Sequence, residues 1–313
     1  MPAMQFLREE QYVRVIRWLV TCGLIAVLLT QTVASWAGSG EFVTFTSLRN
    51  ALSGEKVTIN ALIFKPEGAE PGRRLPAVVA LHGCGGMYST LASRKYQLSM
   101  RHQNMADLIV SQGYIALYPD SFRSRGVEQI CTERISSRSV HVTDRVNDVI
   151  AAAAYLQSRP DVDPGRIALL GWSHGAMTAL SSINEKDDRV AAQRSYFKTA
   201  IAFYPGCRES IAAKEGYSLA LPLKMLLGGL DNWTAPGPCI ELARKFEGSH
   251  EPVVLTVYPD AYHGFDEPGS RTHQRYDIPG LTVTVGSNPE ARADAYAKVK
   301  EYLKEAIGKE YSQ

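Results

Sequence analysis

The sequence predicts an α/β fold: an eight-stranded, mostly parallel sheet with helices on both faces. Three observations predict it. Continuous apolar runs such as Pro76–Leu81 and Arg166–Leu170 suit strands buried on both sides. These runs alternate with segments whose apolar residues recur at helical spacing. Between the 166–170 run and the helix-compatible Ala176–Leu180 lies Gly171-Trp172-Ser173-His174-Gly175, a tight turn flanked by glycines.

Taken in order, Glu41–Leu48 and Lys56–Phe64 alternate apolar and polar residues around Gly54, as an antiparallel pair at a sheet edge does. A Pro/Gly-rich loop, 66–76, leads into the central run Pro76–Leu81, which ends at His82-Gly83-Cys84-Gly85-Gly86. Residues 98–112 read as a helix with Met105, Leu108 and Ile109 on one face. Gly113–Tyr118 is the next strand. Residues 121–142 form a polar excursion, rich in Ser and Arg and without periodicity, at that strand's carboxyl end. Thr143 is expected to cap a helix carrying Val146, Val149, Ile150, Ala153 and Leu156 on one side. Pro160 ends it. Beyond the 171–175 turn come strands at Lys198–Tyr204, Leu221–Leu227 and Val253–Tyr258, with a helix at Pro238–Phe246. The last helix has Asn288 as cap, Pro289 at its first position, and Tyr296, Val299, Leu303 and Ile307 toward the sheet.

Composition bounds the partners. Lys and Arg number 34 against 32 Asp and Glu, a net charge of +2, and no basic stripe runs along the chain. Nucleic acid is therefore not an expected partner. Arg8, Arg14 and Arg17 precede the apolar run Trp18–Leu29, and Ser35-Trp36-Ala37 fits a small-x-small cleavage site. Residues 1–37 are expected to be a signal peptide and 38–313 a single exported domain, periplasmic or secreted, without stable membrane insertion. An uncleaved N-terminal anchor is the alternative. Removing the leader with its Cys22 leaves Cys84, Cys131, Cys207 and Cys239. Four cysteines in an exported protein permit two bridges in three connectivities.

Candidate chemical groups follow three different strands: Ser173, Asp231 and His263. A serine hydroxyl is a weak nucleophile at neutral pH and needs a base in reach. His263 supplies the base, and a carboxylate fixes its tautomer and stabilises the imidazolium. Asp231 is the preferred acid over Asp120, Asp260 and Asp266; His82 and His174 are the rival bases. Two backbone N–H groups should meet the oxyanion. His174 gives one, and Cys84 the other, with Gly83 as neighbour and alternative. Tyr88, Trp233 and Phe265 are candidate pocket residues. Trp172 and Tyr204 read as core or pocket wall. Arg123, Arg125 and Arg134 read as a solvated basic loop, and His102, His141, His250 and His273 as surface residues. No H-E-x-x-H or comparable spacing occurs, so neither metal nor cofactor is expected.

His82-Gly-Cys-Gly-Gly, Gly-Trp-Ser173-His-Gly, Gly-Gly-Leu-Asp231-Asn-Trp and Tyr-His263-Gly-Phe together resemble the dienelactone hydrolase family, over roughly residues 41–307. The resemblance implies an α/β-hydrolase fold and triad roles for Ser173, Asp231 and His263. The chain departs from dienelactone hydrolase proper, which has a Cys nucleophile and a Glu near the oxyanion strand; Ser173 and His82 stand there. It therefore implies an exported serine esterase acting on a small ester or lactone. That architecture also implies the bridges Cys84–Cys131 and Cys207–Cys239, since each pair leaves neighbouring strand ends. A serine peptidase of the same fold and a catalytically silent binding scaffold are the alternative functions.

Overall fold

The computed structural model describes residues 40–49, 54–70, 72–192, 196–213, 216–250 and 253–308. The expected signal peptide lies outside them. Eight strands form one sheet: β1 (Glu41–Arg49), β2 (Lys56–Phe64), β3 (Leu75–Leu81), β4 (Ile115–Asp120), β5 (Val162–Trp172), β6 (Ala200–Phe203), β7 (Leu223–Gly228) and β8 (Val253–Tyr258). Their spatial order is β1-β2-β4-β3-β5-β6-β7-β8. β1 and β2 are antiparallel at the edge, β2 pairs antiparallel with β4, and every pairing from β4 to β8 is parallel. The central strands β3, β4 and β6 are wholly or almost wholly buried, as their unbroken apolar runs require.

Five longer helices cover the sheet: α1 (Met100–Ser111), α2 (Val142–Ser158), α3 (His174–Ser181), α4 (Gly237–Lys245) and α5 (Pro289–Ile307). Two cores result. On one face Val149, Ala153 and Leu156 of α2 and Ala179 and Leu180 of α3 pack with Leu242 of α4. On the other, Met105 and Ile109 of α1 meet Val299, Leu303 and Ile307 of α5. Each such fully buried Val, Leu, Ile or Met side chain contributes about 1.5–3 kcal/mol. α5 begins as expected, with the Asn288 side chain accepting from the Ala291 N–H at 3.0 Å. The cap of α2 is one correction. The helix starts at Val142 with His141 as its cap, and the Asp144 carboxylate reaches back to accept the His141 N–H at 3.0 Å. Thr143 sits inside the first turn.

Two elements were not anticipated. An antiparallel hairpin, β9 (His273–Ile278) and β10 (Leu281–Val285), stands after β8. The 121–142 excursion has its own small core of Phe122, Ile130 and Val140 around the Cys84–Cys131 disulfide. Arg125 is part of that order rather than solvated: it makes two 2.8 Å bonds to Asp148, whose carboxylate also accepts from Ser47 at 2.7 Å. His102 is likewise buried, beneath Trp172 and Tyr118, and not on the surface. The second disulfide is Cys207–Cys239. With sequence separations of 47 and 32, each bridge stabilises by about 4 kcal/mol on the chain-entropy account. Among the described residues no helix is long and apolar enough to cross a membrane.

Candidate active site

The site begins with steric facts at the end of β5. Leu81 pairs with Gly171, and the Ser173 N–H donates to the Phe203 carbonyl at 2.9 Å. Ser173 holds φ +50° and ψ −117°, a strained conformation costing about 1–3 kcal/mol. The turn is possible only because two neighbours lack a Cβ. A Cβ on Gly171 would lie 2.4 Å from the Gly175 carbonyl oxygen, and one on Gly175 would lie 2.1 Å from that of Leu81. We expect Gly175→Ala to push α3 off β3, costing roughly 2–4 kcal/mol of stability. A urea midpoint equal to that of the parent would contradict this.

A second glycine pair brings the acid to the base. A Cβ on Gly228 would meet the Ala261 carbonyl oxygen at 2.5 Å, and one on Gly229 that of Pro259 at 2.7 Å. The loop after β7 therefore lies directly on the loop after β8, with the Leu230 N–H donating to Ala261 at 3.0 Å. Asp231 Oδ1 accepts from the N–H groups of Trp233 and Thr234, at 2.8 and 2.9 Å. Its Oδ2 lies 2.7 Å from His263 Nδ1, and His263 Nε2 lies 3.1 Å from Ser173 Oγ. Ser173, Asp231 and His263 are 9%, 4% and 5% exposed. The network assigns the imidazole proton to Nδ1, facing the carboxylate, and leaves Nε2 to accept the serine proton. Burial pushes the Asp231 carboxyl up, but the His263 ring and the two backbone N–H bonds outweigh it and hold the group below the usual carboxylate range.

Tertiary structure supplies partners the sequence did not advertise. The Thr234 hydroxyl lies 2.9 Å from both Asp231 Oδ2 and the Tyr204 carbonyl oxygen, and 3.1 Å from His263 Nδ1. The rings of Tyr204 and Trp233 flank the imidazole at 4.5 and 4.8 Å. Among the rival acids, Asp266 is buried and accepts from Trp172 Nε1 at 2.7 Å and the Tyr204 hydroxyl at 2.6 Å. It ties the His263 loop to the residue before Ser173. Asp120 caps the turn at Phe122 and Arg123, and Asp260 is exposed. Of the rival bases, His82 has Nδ1 2.8 Å from the Gly83 carbonyl, and His174 faces Arg145. Burial, then the Arg145 charge, pushes both imidazoles well below the usual histidine range, so both are neutral at pH 7.

A cavity of about 580 Å³ opens over Ser173. Cys84 and His174 lie in its wall beside the serine, and Trp233 forms another part. As the first residue of α3, His174 presents an N–H with no intrahelical acceptor. The two other pocket candidates are not there. Tyr88 lines a separate cavity with Gly85, Gly86, Asp120 and Arg123. Phe265 is fully buried in the core against Tyr258 and Tyr204. In their place Met177 of α3, Ile135 and Arg138 of the excursion, and Leu281 of the hairpin line the site. The excursion arginine that reaches this cavity is thus Arg138, not Arg123, Arg125 or Arg134. Asn232 holds the hairpin in place by accepting the Thr284 N–H at 2.8 Å. Pro279-Gly280 is the sequence signal that would have revealed the hairpin. Among the described residues no cluster of His, Cys, Asp and Glu suits a metal ion.

The model of the dienelactone hydrolase family matches residues 59–307. A putative dienelactone hydrolase from Klebsiella pneumoniae is similar in structure, with TM-score 0.58 and 18% identity over 84% of this chain and 98% of that one. Thermogutta terrifontis esterase 2, solved phosphorylated by paraoxon, gives TM-score 0.57 and 19% identity over 85% and 94%. In sequence the chain is 24% identical over 239 residues to human dipeptidyl peptidase 8, covering 69% of this chain and 26% of the peptidase. The chain thus spans about a quarter of that relative's length. These likenesses establish an α/β-hydrolase fold.

Proposed function

From the premise that this chain belongs to the dienelactone hydrolase family, and is a hydrolase, we propose that it cleaves a small carboxylic ester or lactone through an acyl-enzyme. The supporting observation is the hydrogen-bonded line Ser173–His263–Asp231, whose serine lines a cavity of about 580 Å³. In this reading Ser173 Oγ attacks the carbonyl while His263 Nε2 takes its proton. Asp231, ionised and held by two backbone N–H groups, stabilises the imidazolium. The N–H groups of His174 and Cys84 meet the oxyanion. His263 then returns its proton to the leaving oxygen, and water repeats the sequence to release the acid.

The half-exposed apolar side chains Ile135 and Leu281 that line the cavity suit the apolar part of a small ester. The likeness to dipeptidyl peptidase 8 supports a peptidase as the second reading. Two disulfides in the described fold support an oxidising, exported setting.

The test is covalent. A fluorophosphonate should label the folded protein once per chain, with the adduct on the peptide containing Ser173, and a parallel panel should hydrolyse aryl esters and lactones faster than aminoacyl anilides. A folded protein without label on Ser173 would sink the hydrolase mechanism. Faster anilide cleavage would turn the reading to peptidase.

A further inference from the structure

Among the buried charged residues that the described mechanism does not use, Arg145 stands out by its partners. Arg145 lies on α2, entirely inaccessible to solvent. Burying a guanidinium is costly unless it is paired. Yet the acid one turn on, Asp148, is already engaged by Arg125 and Ser47. The hydrogen bonds of Arg145 go instead to neutral groups. Nη2 donates to the His82 carbonyl at 2.8 Å, and Nη1 donates to His174 Nδ1 at 2.9 Å. The His174 ring, neutral at pH 7, accepts that bond on Nδ1. Below the guanidinium, the Phe122 ring lies 5.2 Å away and itself packs on His82 at 4.5 Å.

The two partners are informative. His82 is the last residue before the Gly83-Cys84 turn, and His174 directly follows the nucleophile. One rigid fork therefore joins the two backbone segments whose N–H groups face the reacting carbonyl. Those segments lie on different strands, β3 and β5, and strand pairing between them ends at Leu81 and Gly171. Beyond that pair the ladder no longer sets their separation.

We propose that Arg145 is a positioning residue that sets the spacing of the oxyanion-binding N–H groups by bridging the His82 carbonyl to the His174 imidazole. The proposal rests on the hydrolase mechanism above. It predicts a defect confined to the transition state, since the oxyanion exists only there. A planar fork serves two acceptors at once; a lysine ammonium on a flexible stem does so poorly.

The experiment compares the parent with Arg145→Lys and Arg145→Met, using a short aryl ester and an alkyl trifluoromethyl ketone, which binds a serine as an oxyanion. A loosened oxyanion site should lower kcat by about 10²-fold in Arg145→Met. KM should stay within about threefold, and the ketone should weaken by the same factor as kcat/KM. Arg145→Lys should fall between. If Arg145→Met fails to fold by circular dichroism, the lysine variant decides. Parent-like kcat and ketone affinity in a folded variant overturn the proposal, as does a rise in KM at constant kcat, which a purely structural role would give. Fluorophosphonate labelling separates the two failures. An unlabelled parent overturns the mechanism and this inference together; a labelled parent with an unaffected lysine variant overturns this inference alone.

Discussion

Ser173→Ala should lower kcat on a short aryl ester by about 10⁴–10⁶-fold while KM changes little, because in the proposed mechanism the serine forms the covalent intermediate and its partners act only through it. The fold should survive. Ser173 is strained at φ +50°, but Ala requires the same backbone and removes only the hydroxyl that contacts His263. His263→Ala should cost about as much, and combining the two should add little, since members of one triad are not additive. Steady-state rates, with thermal melting as the folding control, decide the matter. A folded Ser173→Ala protein retaining more than about a hundredth of the parent rate would remove Ser173 from the mechanism.

Acid should destabilise the protein well before its carboxylates titrate. His82, His102 and His174 are buried at 0%, 3% and 3% exposure. Burial pushes all three down, with nearby arginine charges acting in the same direction, and His102 reaches about 3. The unfolded chain binds protons at these positions below about pH 6.5, whereas the native state does not. Their contribution to stability is therefore complete above that pH and is lost as pH falls toward the folded values. An imidazole that the native state keeps neutral costs at most about 2 kcal/mol at pH 5, the interval between that pH and an ordinary histidine value near 6.5. Asp120 works the opposite way, because burial raises its carboxyl. It is a single group against three. Urea unfolding followed by tryptophan fluorescence at pH 7.5, 6 and 5 should give a steadily falling midpoint. An unchanged midpoint over that range would mean that these histidines are charged or solvated in the native protein.

The hydrogen-bonded line Ser173–His263–Asp231 was legible because each of its members follows a strand whose unbroken apolar run is readable, and chain order then sets spatial order. Ser173, Asp231 and His263 needed only β5, β7 and β8 to be found. The bridge partners followed from the same neighbour relations once the architecture was recognised. The hairpin at 273–285 was harder. Its first strand, His273–Ile278, is mostly exposed with polar residues on both faces, and the alternation of the second, Leu281–Val285, spans only five residues. Side-chain direction was harder still. Tyr88 and Phe265 each adjoin a site loop, but one faces a different cavity and the other the core. Proximity along the chain does not fix the face, which changes with every residue of extended backbone.

The sequence by itself determined the sheet, the 171–175 turn with its two glycines, and Asp231 and His263 at strand ends. These depend on short-range pattern and on steric demands that only glycine meets. Tertiary structure alone decided which polar residues become buried partners. Arg145 and Asp148 share one helix, yet Arg125 takes the acid and leaves Arg145 to two backbone-bearing histidines. Thr234 and Asp266 likewise gain their partners from residues 29 to 94 positions away. Such pairings depend on distances that no local pattern encodes. They arise only when the sheet has closed and each buried donor must find an acceptor within reach.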